Sequence, residues 1–183
     1  VMQELSLNVL DIAQNSVRAK ADLIEITVDE QPGKDLLIIT IADNGCGMSA
    51  EQVHKVIDPF FTTRTTRKVG LGVPFLKMAA EMTGGTLAID SKVNVGTTVT
   101  ATFGLTHIDR MPLGDMAGTI SSLVQCNPDI DFVYTYRRGE QAFAADTREF
   151  RQVLAGVPLS NPEVVGFISS FIRENMTEIQ GNG

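Results

Sequence analysis

The sequence predicts an α+β protein, and three patterns carry that expectation. Residues 4 to 20, ELSLNVLDIAQNSVRAK, hold no Gly or Pro, and Leu5, Val9, Ile12, Ala13 and Val17 recur at the three- and four-residue steps of one buried helix face. Leu23, Glu25 and Thr27 alternate with Ile24, Ile26 and Val28, and after Pro32-Gly33-Lys34-Asp35 an apolar run from Leu36 to Ala42 follows, which reads as a hairpin. Thr86 to Ser91 and Thr97 to Phe103 flank a turn at Asn94 to Gly96 and form a second strand pair.

The polar residues of the first helix have a pattern of their own. Asn8, Asp11, Asn15 and Arg18 also recur at steps of three and four and so line a second stripe along the helix. The apolar run ends at Asp43, directly before Asn44-Gly45-Cys46-Gly47-Met48. A carboxylate at a strand end beside two glycines is placed to accept from an exocyclic amine, and the same letters also describe an ordinary Asp-Asn-Gly turn. Ser49 then caps a short helix, Ala50 to Val56, with Gln52 at the capping-box position, and His54 on that helix reads as a surface residue.

The stretch Asp58 to Phe75, DPFFTTRTTRKVGLGVPF, concentrates positive charge in an acidic chain. Arg64, Arg67 and Lys68 precede Gly70-Leu71-Gly72, and a helix over 72 to 83 begins there with Pro74 in its first turn. Cations, bare amides and a helix start converge as a polyphosphate requires. The spacing excludes two other phosphate loops, because there is no GxxxxGK[ST], and Phe75 stands where a dinucleotide fingerprint needs its third glycine.

Composition sets outer bounds. A chain of 183 residues with 43% apolar content buries a core, and its net charge of −7 argues against nucleic-acid or acidic-membrane partners. Cys46 and Cys126 have no neighbours spaced for zinc and suggest no disulfide framework, so a reduced, cytoplasmic compartment is expected. The longest apolar run is far short of a membrane span, and Val1 leaves open a segment upstream.

Taken in order, these boxes resemble the ATPase superfamily shared by histidine kinases, gyrase, Hsp90 and mismatch-repair ATPases. Asp11-x-x-x-Asn15 matches the first box, Asp43-x-Gly45-x-Gly47 the second, Asp58 to Thr63 with Gly70-Leu71-Gly72 the third, and Gly96-Thr97 the last. DPFFTTR and GGTLAIDSKVNVGTTVTATF look most like the histidine-kinase branch, as does Arg18, three residues after Asn15. The resemblance covers residues 4 to 105.

It implies a two-layer sandwich, a mixed and mainly antiparallel sheet with helices on one face, binding ATP and magnesium between the helices and a lid. On that pattern Asn15 ligates the metal, Asp43 takes the adenine amino group with Thr97 beside it, and Gly45 and Gly47 let the base approach the backbone. Gly70 and Gly72 present amides to the phosphates, while Arg18, Arg64 and Lys68 compensate charge. Asp11 takes the catalytic place, where hydrolysing branches carry Glu. Asp is one methylene shorter, and a misplacement of about 1 Å can cost on the order of a hundredfold in rate, so fast hydrolysis is not expected. Lys68 also replaces a glycine usual in the lid.

The resemblance thus gives a histidine kinase-like lobe that phosphorylates a separate protein partner or slowly hydrolyses ATP. The alternative is an ATP-gated regulatory module like the anti-sigma-factor kinases. The first box begins near residue 4, and His107, beyond the last strand, is a poor acceptor, so the phosphoacceptor is expected on another protein. Monomer and homodimer both stay open. Residues 106 to 183 lie outside the resemblance and are expected to form a small α+β unit of unknown role, docked on the ATP lobe or on a partner: a helix over 113 to 125, a hairpin about Arg137 to Glu140, and helices near 147 to 155 and 162 to 177.

Overall fold

The computed structural model describes residues 4–58 and 71–181. Helix α1 spans Leu5–Arg18, followed by strands β1, Leu23–Gln31, and β2, Leu36–Asp43, then helix α2, Ala50–Ile57, and helix α3, Gly72–Glu81. Strands β3, Leu87–Lys92, and β4, Gly96–Gly104, precede helix α4, Met116–Cys126. The chain ends with β5, Asp131–Arg138, β6, Gln141–Asp146, α5, Thr147–Leu154, and α6, Pro162–Gly181.

The six strands among the described residues form one mixed sheet in the order β3-β4-β2-β1-β5-β6, antiparallel except where β5 lies parallel to β1. Strand alternation puts Ile24, Ile26 and Val28, Leu37, Ile39 and Ile41, Val99, Ala101 and Phe103, and Phe132, Tyr134 and Tyr136 on one buried face. Helices α1, α3, α4 and α6 cover it, so the expected α+β sandwich with helices on one face is what the chain forms. The opposite face carries Thr27, Thr40, Thr100 and Thr135, one row across four strands, and is only partly buried.

The expected boundary at 105 does not separate two bodies. β5 continues the sheet beyond β1, and a single core joins Leu5 and Val9 to Tyr134, Ile168 and Ile172. Helix α1 starts without a side-chain cap, and its Leu5 and Ser6 amides donate instead to the Pro112 and Leu113 carbonyls. The chain that follows β4 is tied down as well, since the Thr106 amide and hydroxyl both donate to Asp35 Oδ1. The element pattern of the last third does not say which sheet edge those elements extend. Phe150 meets Phe167 and Phe171 edge-on at 6.0 and 5.6 Å, and Phe171 meets Phe143 likewise, which seats α6 on β6 and α5 against α6.

Candidate functional site

The site forms where α1 ends over the carboxyl end of β2. β2 delivers Asp43 at its last position, opposite Thr97 on β4. Asp43 is held from two sides: Ser16 Oγ donates to Oδ2 at 2.6 Å and the Gly45 amide donates to Oδ1 at 2.9 Å. Ser91 Oγ lies 2.7 Å from Thr97 Oγ1 and accepts from the Met48 amide, so the loop after β2 is pinned to the β3–β4 hairpin. The Cys46 amide donates to the Ala19 carbonyl at the end of α1, closing the loop on its other side.

Two glycines are required by these contacts. A Cβ on Gly47, whose φ is +70°, would stand 2.0 Å from the Lys92 carbonyl oxygen, and one on Gly45 would meet Ala19 at under 3 Å. Protein backbone therefore already demands both glycines, and Gly47 in addition lines the cavity.

That cavity has a volume of about 440 Å³, within the range of small-molecule sites. Asn15, Arg18, Asp43, Gly47 and Thr97 line it, with Ile12, Ile41, Val73, Ile89 and Val99 forming apolar walls on which a flat ring can stack. Arg18 donates to Asn15 Oδ1 at 3.3 Å, so cation and amide oxygen share one rim of the cavity. An amide oxygen beside a cavity is the hard donor that magnesium takes, and a carboxylate fixed by two donors is an acceptor for an amine. The donor set fits a magnesium nucleotide. No group of three or more metal-binding His, Cys, Asp or Glu side chains occurs among the described residues.

Asp11 and Gly72 stand beside each other at the edge of the site and outside the cavity lining, since a Cβ on Gly72 would lie 2.7 Å from Asp11 Cβ. Partial burial raises the Asp11 pKa, and the Arg18 charge opposes that rise. Arg64, Lys68 and Gly70 lie outside the described residues. Ser16 and Ser91 were missed in the sequence. Ser16 had one signal, a serine on the apolar face of α1, where it is 3% exposed.

Among known proteins, the family model described as histidine kinase-, DNA gyrase B-, and HSP90-like ATPase matches residues 1–107. Sensor kinase CckA of Brucella abortus (strain 2308) is 34% identical over 79 residues, 43% of this chain and 8% of its own length. Sensor protein RprX of Bacteroides fragilis (strain YCH46) is 33% identical over 96 residues, 49% of this chain and 18% of its own. Sensor protein SrrB of Staphylococcus aureus (strain NCTC 8325 / PS 47) is 33% identical over 102 residues, 53% and 17%. The chain therefore spans less than a fifth of these relatives. The Aquifex aeolicus MutL ATPase domain, solved in complex with ADP, superposes with a TM-score of 0.50 at 16% identity, covering 84% of this chain and 70% of that one, a likeness of fold.

Proposed function

Since the chain belongs to the histidine kinase-, DNA gyrase B-, and HSP90-like ATPases and is close to histidine-kinase ATP-binding domains, we propose that it binds MgATP in this cavity and passes phosphate to a separate protein. The observation that carries the reading is Asp43, a carboxylate locked by Ser16 and Gly45 at the mouth of an apolar-walled cavity. Asp43 would accept from the adenine amino group, with Thr97 alongside. Asn15 would hold the metal through its amide oxygen, and Arg18, Arg64 and Lys68 would balance phosphate charge, with Gly70 and Gly72 offering amides. Bound magnesium supplies electrophilic stabilisation of the phosphates.

Asp11 would be the carboxylate nearest the chemistry. Its raised pKa makes it a better proton acceptor than an exposed aspartate, which suits slow hydrolysis or deprotonation of an acceptor hydroxyl. The acceptor would belong to a partner protein, and the setting would be intracellular signalling. No helix among the described residues is long and apolar enough to cross a membrane.

The test is isothermal titration of ATP, ADP and a non-hydrolysable analogue, with and without magnesium, into the wild type and Asp43→Ala. Binding lost in Asp43→Ala supports the adenine pocket, and no wild-type binding at millimolar nucleotide sinks it. Labelled phosphate moving onto a co-purified protein supports transfer, whereas stoichiometric nucleotide-dependent binding without transfer favours the regulatory module.

A further inference from the structure

The first turn of α2 closes one side of the cavity. Gln52 and Val56, four residues apart on one face of this helix, both line it. Glu51 and Lys55 lie outside the lining and pair with each other at 3.2 Å.

Gln52 already has a structural task. In the capping box its Oε1 accepts from the Ser49 amide at 2.9 Å, while its own backbone amide donates to Ser49 Oγ at 3.2 Å. The first of these bonds decides which way round the carboxamide sits. A flipped amide would set Nε2 against the Ser49 N–H, two donors facing each other. Nε2 is therefore turned away from the helix cap, and among the described residues no acceptor meets it.

A run of hydrogen bonds places this donor relative to Asp43. Ser91, Thr97 and Asp43 are register partners on the adjacent strands β3, β4 and β2, so they form one polar row across the sheet. Ile89, Val99 and Ile41 form the next row along, an apolar one, on which a flat ring can lie. Ser91 accepts from the Met48 amide at 2.8 Å, and the next residue, Ser49, is the one that donates to Gln52. Gln52 thus belongs to the end of the cavity where Thr97 and Asp43 lie. Asn15 and Arg18 line a different wall, on α1.

We propose that Gln52 is a further nucleotide-binding residue, its Nε2 donating to an acceptor on the adenosine half of ATP. Adenosine offers such acceptors in its ring nitrogens and ribose oxygens, whereas its amino group goes to Asp43. One side chain then serves two partners: the carbonyl end holds the start of α2, and the amino end holds the ligand. This role for Gln52 rests on the reading of the cavity as an ATP site.

Gln52→Glu separates the two tasks. Glutamate keeps an acceptor for the Ser49 amide and suits the first turn of a helix, so the melting midpoint should hold or rise. It brings no donor. Titrations of adenosine, which is uncharged, and of MgATP should both weaken about three- to tenfold relative to the wild type, the worth of one hydrogen bond. Gln52→Met, uncharged and of similar length, should weaken MgATP to the same extent. Unchanged affinity in both variants overturns the assignment. So does a loss confined to MgATP in Gln52→Glu, which is repulsion between the new charge and phosphate. A wild type that binds neither ligand overturns the ATP reading itself, and this role for Gln52 with it.

Discussion

The Ser16 hydroxyl donates to Asp43 Oδ2 over 2.6 Å and joins the buried face of α1 to the last residue of β2. The bond fixes the rotamer of the carboxylate that faces the cavity, and it leaves Asp43 purely an acceptor on that side. Hydrogen bonds to charged groups contribute roughly 1.5–3 kcal/mol, and part of this one acts on the orientation of Asp43. Ser16→Ala should therefore weaken ATP binding about tenfold, which corresponds to about 1.4 kcal/mol, in titration calorimetry. The melting midpoint should move little, because alanine fits the apolar face of α1. Unchanged affinity would show that Asp43 needs no second donor.

The loop glycines make a contrasting pair of predictions. Gly47→Ala forces a left-handed residue to carry a Cβ 2.0 Å from the Lys92 carbonyl oxygen, a contact with backbone that no rotamer relieves. It should cost on the order of 3 kcal/mol or more in urea unfolding and abolish nucleotide binding. Gly33, in the short turn between β1 and β2, has open space around it, and a methyl group added there would meet nothing within 4 Å. Gly33→Ala should shift stability by less than about 0.5 kcal/mol.

The legible and illegible parts of the molecule divide by the range of the interaction. The capping box of Ser49 and Gln52, the Pro74 start of α3 and the alternation of β1 depend on neighbours in sequence, and each forms as its residues indicate. Asp43, Asn15, Arg18, Gly47 and Thr97 converge on one cavity because loops at strand and helix ends were readable as such. The partner of β5 was not readable. Its residues state which face is buried, whereas its parallel register with β1, Leu23 beside Asp131 and Glu30 beside Arg138, is set by the whole sheet. The Ser16 to Asp43 bond spans 27 residues and the Tyr136 to Glu30 bond 106, and neither leaves a local signature.

Asp11 gives a pH dependence with a definite sign. Burial raises its folded-state pKa above the ordinary 3.8, so between 3.8 and that raised value the native state binds more protons than the unfolded chain. Stability is lost as pH rises through that window and stays reduced above it. Asp11→Asn should then melt higher than the wild type at neutral pH, and the difference should vanish below about pH 3.8. Asp146 has the opposite sign: its hydrogen bonds from Arg148 lower its pKa, so its contribution is present above 3.8 and fades as pH falls through the lowered value. Asp146→Asn should lower the neutral-pH midpoint. Melting curves of the two variants across about pH 2 to 8 separate the effects.

The cooperativity of the chain depends on the seam between β1 and β5. There Glu30 is buried and accepts from the Tyr136 hydroxyl at 2.7 Å and from Arg138 at 3.0 Å, and burial followed by the hydrogen bond to this carboxylate raises the Tyr136 pKa. Tyr136→Phe leaves Glu30 with Arg138 alone and should cost roughly 1–3 kcal/mol. Because β5 shares one core with α1, that loss should appear in a single unfolding transition, with the tyrosine-region and helix signals falling together in urea. A chain cut after Leu105 removes the carbonyls of Pro112 and Leu113 from the start of α1 and exposes the open edge of β1. It should aggregate or unfold, and its failure to bind ATP would follow from that loss of structure. A stable, monomeric fragment of residues 1–105 with two-state melting would show that the last third docks on a lobe that folds without it.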